Sequence, residues 1–319
     1  MPRDEVKLPN FFLVGAGRSG TTSLYHHLDQ HPEIFMSPLK ETFYFAYEMR
    51  VDRLATELQP QAKQVAESTR KYLDGPLREK RFAGIVTDWE DYCRLFAGVR
   101  RERAIGEATP WYLWSKTAAA RIAKCVPNAK ILIILRNPID RAFSQHLQNV
   151  HSGDMRLSFQ QHVEAALAHQ GDEMISVLSP FLEFGLYTEQ VQRYMDQFPE
   201  AQIGLWLYED TLSPKFLREV FEFLGVDGGF VPDTRARHNQ QQIPKIAGLS
   251  VMDRRRSLGK VLRRAIPPRI RSLMRKLIYR TSGSVQMTEV ERQLLVEYYL
   301  QDILRLETLV QRDLSAWLR

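Results

Sequence analysis

Cysteine is nearly missing from this chain: Cys93 and Cys125 are the only two in 319 residues. Two thiols are a poor staple for a chain this long, so the reduced thiols of a cytosolic protein are the default. Long apolar runs are missing too. No stretch of about 18 apolar residues occurs, which excludes a membrane-spanning helix. The opening MPRDEVKLPN lacks the apolar run of a signal peptide, so a cytoplasmic location is expected. The eight histidines are scattered, and none has a second ligand at a zinc-site spacing. No metal is therefore expected, and His26 and His27 read as helix-surface or packing residues. Acidic residues are absent between Arg254 and Arg280, where eleven arginines and lysines lie. The net charge is +6, so the chain outside that segment is mildly acidic. A generic nucleic-acid binder is excluded for the core, whose charge has the wrong sign.

What is present is an ordinary globular composition. Its length suits one large domain, 1–319, or a core with a substantial insertion. Residues 251–284 are the candidate insertion or flap. Phe11 to Val14 reads as a short buried strand and Thr21 to Gln30 as the helix after it. Arg50 to Lys80 is polar, a surface excursion with helical patches. Arg121 to Cys125 closes another helix. Lys130 to Leu135, KILIIL, is short and continuously apolar, as in a parallel sheet covered on both faces. Asn137-Pro138 ends it, and Ile139 to Val150 reads as a helix. Gln202 to Leu207 is a third strand candidate, and Phe216 to Leu224 an amphipathic helix stopped by Gly225. Thr288 and Glu291 form a capping-box pattern before a last helical stretch that runs to Trp317. Strands alternating with helices predict an α/β fold, a P-loop-like parallel sheet flanked by helices.

The loop after the first strand is Gly15-Ala16-Gly17-Arg18-Ser19-Gly20-Thr21-Thr22. Glycine, four residues, glycine and two more is the frame of a phosphate-binding loop. Glycines let consecutive N–H groups curl inward, and the helix N-terminus adds partial positive charge. A nucleotide triphosphatase places lysine directly after the second glycine. Here that position is Thr21, and the cation, Arg18, lies three residues earlier. KILIIL ends in Arg136 rather than a magnesium-binding aspartate. A P-loop nucleotide kinase, the first alternative, thus lacks two of its parts. Arg136 at a strand's carboxyl end and Ser144 early in the next helix converge on the crevice where open α/β sheets bind ligands. They make a second anion pocket, and two pockets predict a ligand with two separate phosphate groups.

These stretches carry a family resemblance. GAGRSGTTSLYHHLDQHPEIFMSPLKETFYFA resembles the 5′-phosphosulfate loop of sulfotransferases that use 3′-phosphoadenosine 5′-phosphosulfate (PAPS). ILIILRNPIDRAFSQH resembles their 3′-phosphate motif, and GEATPWYLWS a segment of the heparan-sulfate-type branch. The final YYLQDILRLETLVQRDLSAWL is similar to the C-terminal helix of bacterial members. The resemblance implies a PAPS-dependent sulfotransferase that needs no metal. It implies that Arg18 contacts the leaving phosphate, and that Arg18, Ser19, Gly20, Thr21, Thr22 and Ser23 bind the 5′-phosphosulfate. It also implies that Arg136 and Ser144 bind the 3′-phosphate, and that Glu41 is the catalytic base. Charge grows on the leaving oxygen in such a transfer, so fixed cations and N–H groups stabilise it. The acceptor hydroxyl must lose its proton, which calls for a carboxylate in reach.

Two positions depart from the heparan-sulfate pattern. Ala108 stands where a lysine usually follows the glutamate, and Phe43 where a histidine is common. Both lie on the acceptor side and argue against an anionic polysaccharide. Trp111, Tyr112 and Trp114 supply rings that stack on sugar or sterol faces or pack in the core. The expected acceptor is a hydroxyl on a carbohydrate, glycolipid, lipid or secondary metabolite. In the basic segment 254–280, apolar residues at helical spacing flank Pro267-Pro268. Three readings stand: a peripheral membrane contact, a helical flap on the core, or recognition of an anionic acceptor or carrier. A non-catalytic nucleotide- or membrane-binding relative is the other alternative, and Arg18 with Glu41 speaks against it.

Overall fold

The computed structural model describes residues 7–169, 175, 180–233, 242–244, 279–281 and 286–319. The chain runs β1 (Phe11–Gly15), α1 (Thr21–Leu28), β2 (Ile34–Met36), β3 (Leu39–Lys40), α2 (Gln59–Leu73), β4 (Arg81–Phe82), α3 (Trp89–Arg94) and β5 (Ala104–Ala108). It continues through α4 (Ala118–Cys125), β6 (Lys130–Leu135), α5 (Pro138–Ser152), α6 (Phe159–Ala168), α7 (Tyr187–Met195), β7 (Ile203–Leu207) and α8 (Phe216–Leu224). Last come β8 (Gln242–Pro244), β9 (Tyr279–Thr281) and a long helix, α9 (Glu289–Val310).

Five strands form one parallel sheet in the order β2-β5-β1-β6-β7. Both faces are covered. Phe11, Leu13, Leu132 and Ile134 pack on α1 and α8, while Phe12, Val14, Ile131, Ile133 and Leu135 face α4, α5, α7 and α9. Each residue from Ile131 to Leu135 is fully buried, a gain of about 1.5–3 kcal/mol per large side chain. That two-sided burial is why KILIIL carries no alternation. From β1 the chain first fills the β5 side and then crosses back to β6. The β1/β6 junction is therefore a topological switch point, with a crevice at the strands' carboxyl ends.

Local signals hold the flanking helices in place. Asn137 Oδ1 accepts from Ile139 N at 3.0 Å and Pro138 opens α5, which ends at Gly153 with φ 78°. α8 stops at Gly225, also at φ 78°. Thr288 and Glu291 form the expected capping box on α9. α9 then binds the core: Tyr187 N donates to Asp302 Oδ2 at 2.7 Å, and Arg292 pairs with Asp140 at 3.1 Å.

The expected helix in the Arg50–Lys80 excursion is α2, with only Ala62, Thr69 and Leu73 buried. The final stretch is α9 followed by a separate turn at Ser315–Leu318, rather than one helix to Trp317. β5, the strand between β1 and β2, was not among the expected strands. The membrane, flap and acceptor readings of 254–280 concern a segment that lies outside the described residues, apart from Tyr279 and Arg280. β8 and β9 pair antiparallel, Gln242 opposite Thr281 and Pro244 opposite Tyr279, and β8 lies beside α5.

Candidate active site

β1 ends at Gly15, where a Cβ would lie 2.5 Å from Leu113 Cβ, so no larger residue fits. The chain is then hydrogen-bonded to the neighbouring strand, Ala16 N to Ile134 O at 2.7 Å. Arg18 takes a left-handed conformation at φ 70°, and Gly20 at φ 85° is the N-cap of α1. No side chain caps that helix. Its first-turn N–H groups, at Thr21, Thr22 and Ser23, are the orphan donors an anion fills. Ser19 is fully buried, and its hydroxyl has no hydrogen-bond partner. The nearby Tyr187 hydroxyl is likewise buried and faces Ser19 and the Arg136 backbone. Burial pushes that phenol up to about 12, against the pull of Arg141 and Arg136.

Arg136 directly follows β6. Its Nη1 donates to the Arg18 carbonyl at 3.1 Å, and its guanidinium lies over the Tyr208 ring, 4.8 Å from the centroid. Arg18 reaches α5: Nε and Nη2 donate to Ser144 Oγ at 3.2 and 3.1 Å, and Nη1 donates to Gln148 Oε1. The glycine loop and α5 are thus joined directly through Arg18. Burial lowers the Arg18 pKa to about 10, helped by Arg136 and Arg141 and opposed by Glu41. Arg141 is fully buried, with Nη2 on the Phe181 carbonyl at 2.6 Å and Nε unpartnered. Among the described residues, no carboxylate pairs with Arg18, Arg136 or Arg141.

Glu41 follows β3, on the segment between β3 and the first-turn residues of the next loop. Its Oε1 accepts from Lys40 Nζ at 2.6 Å. The lysine is 1% exposed and the glutamate 25%, so this is a half-open carboxylate on a buried cation, not a surface pair. Glu41 N donates to Ala108 O at 2.8 Å, tying the segment to β5. Glu41 and Phe43 both have positive φ, 63° and 57°. Two left-handed non-glycine residues in three cost about 1–3 kcal/mol each, a strain kept where a side chain must be aimed.

Beside this segment, Trp111 packs edge-on against Phe43 at 5.9 Å and Phe184 at 4.6 Å, and Trp114 adjoins both Trp111 and Phe184. These rings are half-buried. Tyr112 is instead fully buried, so of the two readings offered for these aromatics it takes the core one. Sequence reasoning missed Gln148, Arg141 and Tyr187. Gln148 had a signal, since it lies four residues after Ser144 on the same helix face. The other two were hidden in apolar helical patterns. No cluster of metal-ligating side chains occurs among the described residues, nor any helix long and apolar enough to cross a membrane.

Residues 9–227 match the sequence profile of the sulfotransferase family. A crystal structure of a sulfotransferase from Alicyclobacillus acidocaldarius superposes with a TM-score of 0.70 at 31% identity, covering 98% of this chain and all of that one. The human bifunctional heparan sulfate N-deacetylase/N-sulfotransferase 3 is 30% identical over 229 residues, 69% of this chain and 22% of that protein. The membrane-associated sulfotransferase kil1 of Dictyostelium discoideum is 27% identical over 139 residues, 44% of this chain and 22% of that one. The chain thus spans about a fifth of the length of these two relatives.

Proposed function

From a chain that belongs to the sulfotransferase family, we propose an enzyme that moves the sulfuryl group of PAPS to an acceptor hydroxyl by in-line displacement. One observation carries this reading: Arg18 of the glycine loop bonds Ser144 of α5, while Arg136 bonds the carbonyl of Arg18. The glycine loop and the start of α5 are thereby joined into one site rich in arginine, in which Glu41 is the carboxylate that acts on Arg18. Ser19, Gly20, Thr21, Thr22 and Ser23 take the 5′-phosphosulfate, and Arg136 with Ser144 the 3′-phosphate. Glu41 accepts the acceptor's proton as the new S–O bond forms. The bond from sulfur to the bridging oxygen breaks, and Arg18 meets the charge that grows on the departing phosphate. The uncapped first turn of α1 and the buried Ser19 hydroxyl support this division of labour.

The acceptor is a hydroxyl on a carbohydrate, glycolipid, lipid or secondary metabolite. Relatives that act on heparan sulfate favour a sugar, while Phe43, Trp111 and Trp114 favour an uncharged face over a sulfated one. The test is a screen of hydroxyl compounds with sulfur-labelled PAPS, repeated with Glu41→Gln. The variant should lose roughly 10²–10⁴-fold in kcat while its affinity for the product nucleotide, 3′-phosphoadenosine 5′-phosphate (PAP), stays put. Near-normal turnover by Glu41→Gln would place the base elsewhere.

A further inference from the structure

β5 places one carboxylate in the interior. Glu107 is fully buried, and three hydroxyls converge on it. Oε1 accepts from Thr42 Oγ1 and Thr109 Oγ1, each at 2.7 Å, and Oε2 from the Tyr92 hydroxyl at 2.6 Å. A second tier of donors stands behind them. Phe45 N donates to the Tyr112 hydroxyl at 3.2 Å, which lies 2.9 Å from Thr42 Oγ1. Thr42 N donates to Thr109 Oγ1 at 3.1 Å.

With Glu107 ionised, these bonds run in one direction. A backbone N–H only donates, so Tyr112 and Thr109 accept there and each keeps its own proton to give. Tyr112 passes its proton to Thr42, and Thr42 and Thr109 pass theirs to Glu107. Every arrow ends on the carboxylate. An ionised carboxylate accepts all three hydroxyls at once. Burial raises the Glu107 pKa, and the hydroxyls of Thr109, Tyr92 and Thr42 pull it back. Burial also lifts the phenols of Tyr92 and Tyr112 well above their usual range, which keeps both as donors.

The network surfaces at one place. Thr42 sits between Glu41 and Phe43, the two residues with positive φ. We propose that Glu107 is a positioning residue: through Thr42 it holds the strained segment that aims the Glu41 carboxylate at the acceptor. This rests on Glu41 being the base. The backbone of the segment has its own ties, Glu41 N to Ala108 O and Gly84 N to Glu41 O. Loss of the side-chain anchor therefore releases the aim of Glu41 without detaching the segment. The donor loop makes none of these bonds, so donor affinity is independent of them.

The experiment compares Glu107→Gln, Thr42→Val and Thr42→Ser, with active molecules counted by PAP titration. Glu107→Gln sets an amide N–H₂ against a hydroxyl, and Thr42→Val removes the link. Each should lower kcat roughly 10–100-fold, the scale of a misplacement of about 1 Å. The dissociation constant for PAP should stay within about twofold, since those bonds do not reach the donor loop. Thr42→Ser should restore turnover. The double variant Glu107→Gln/Thr42→Val should be no slower than either single one, because both break one chain of bonds. Should Glu107→Gln fail to fold, the Thr42 pair carries the test, read also as faster amide hydrogen exchange over residues 40–45 in Thr42→Val. A Thr42→Val enzyme with wild-type kcat, alongside an inactive Glu41→Gln, overturns the positioning role alone. An active Glu41→Gln overturns the assignment of the base, and the positioning role with it.

Discussion

Removing Arg136 should cost the protein its preference for a nucleotide with two separate phosphates. Arg136 and Arg141 act on Arg18 with only Glu41 opposing them, and burial beside them lowers the Arg18 pKa to about 10. That shift corresponds to about 3 kcal/mol of unfavourable charging in the ligand-free site. A bound anion recovers part of it. At a concentration one hundred times its dissociation constant, a ligand stabilises the fold by about 2.7 kcal/mol. For a chain of this size that is a rise in Tm of about 5 °C. One charge-assisted phosphate contact contributes about 1.5–3 kcal/mol, so Arg136→Ala should weaken PAP binding about 10–150-fold. At the same concentration the rise should shrink to about 1–3 °C or less. Arg136 also holds the Arg18 carbonyl, and the loss of that tie appears separately, as a lower Tm without ligand. The assay is thermal unfolding of both proteins with PAP, AMP and ATP, at low and moderate salt. Equal rises with PAP and ATP, or an unchanged PAP rise in Arg136→Ala, would refute the two-phosphate site.

Two further outcomes follow from the same geometry. Arg18→Ala should lower kcat at least about 100-fold, because its charge counts most as the phosphate departs, and single-turnover kinetics with labelled PAPS would show whether the loss is in the chemical step. His146, whose Nδ1 lies 3.1 Å from Nδ1 of His162, is held neutral by burial with its pKa lowered from 6.5 to about 4, Glu291 opposing. Between those values the unfolded chain binds the extra proton and the folded one does not, so stability is full above about pH 6.5 and falls, by of order 3 kcal/mol in total, as pH drops toward 4. Denaturant titrations of wild type and His146→Gln across that window should show a flatter pH dependence in the variant, and parallel curves would exclude His146 as the cause.

The elements legible in the sequence were those whose signal is local. KILIIL is buried on both faces, so its apolar run needs no context, and Asn137-Pro138, Gly225 and Thr288 with Glu291 mark helix ends by chemistry that acts within a few residues. β5 was illegible because AIGEA holds a glycine and a glutamate. Gly106 is required because a Cβ would lie 2.1 Å from the Phe11 ring, and Glu107 is tolerated because the hydroxyls of Thr42, Tyr92 and Thr109 surround it. Neither reason exists until the sheet has formed. The site divides in the same way. The glycine frame and Arg136 stood out by spacing, and the resemblance supplied Glu41. That Arg18 and Ser144 touch depends on β1 and β6 being neighbours, and that Glu41 rests on a buried lysine depends on how β3 is covered.

The short β8–β9 stem has a consequence for how this protein can be rebuilt. Its strands bring Pro244 and Tyr279 opposite one another, so the chain between them departs and returns at a single point, next to the helix that bears Ser144. Joining the two strands by a flexible linker of another length is cheap, about 0.6 kcal/mol per doubling of such a linker, and no strand of the five-stranded sheet has to shift register to allow it. The stem is a splice point. A foreign sequence joined at Pro244 and Tyr279 would start and end at this paired stem, with β8 beside α5, and would leave untouched the strands that carry the glycine loop, Arg136 and Glu41.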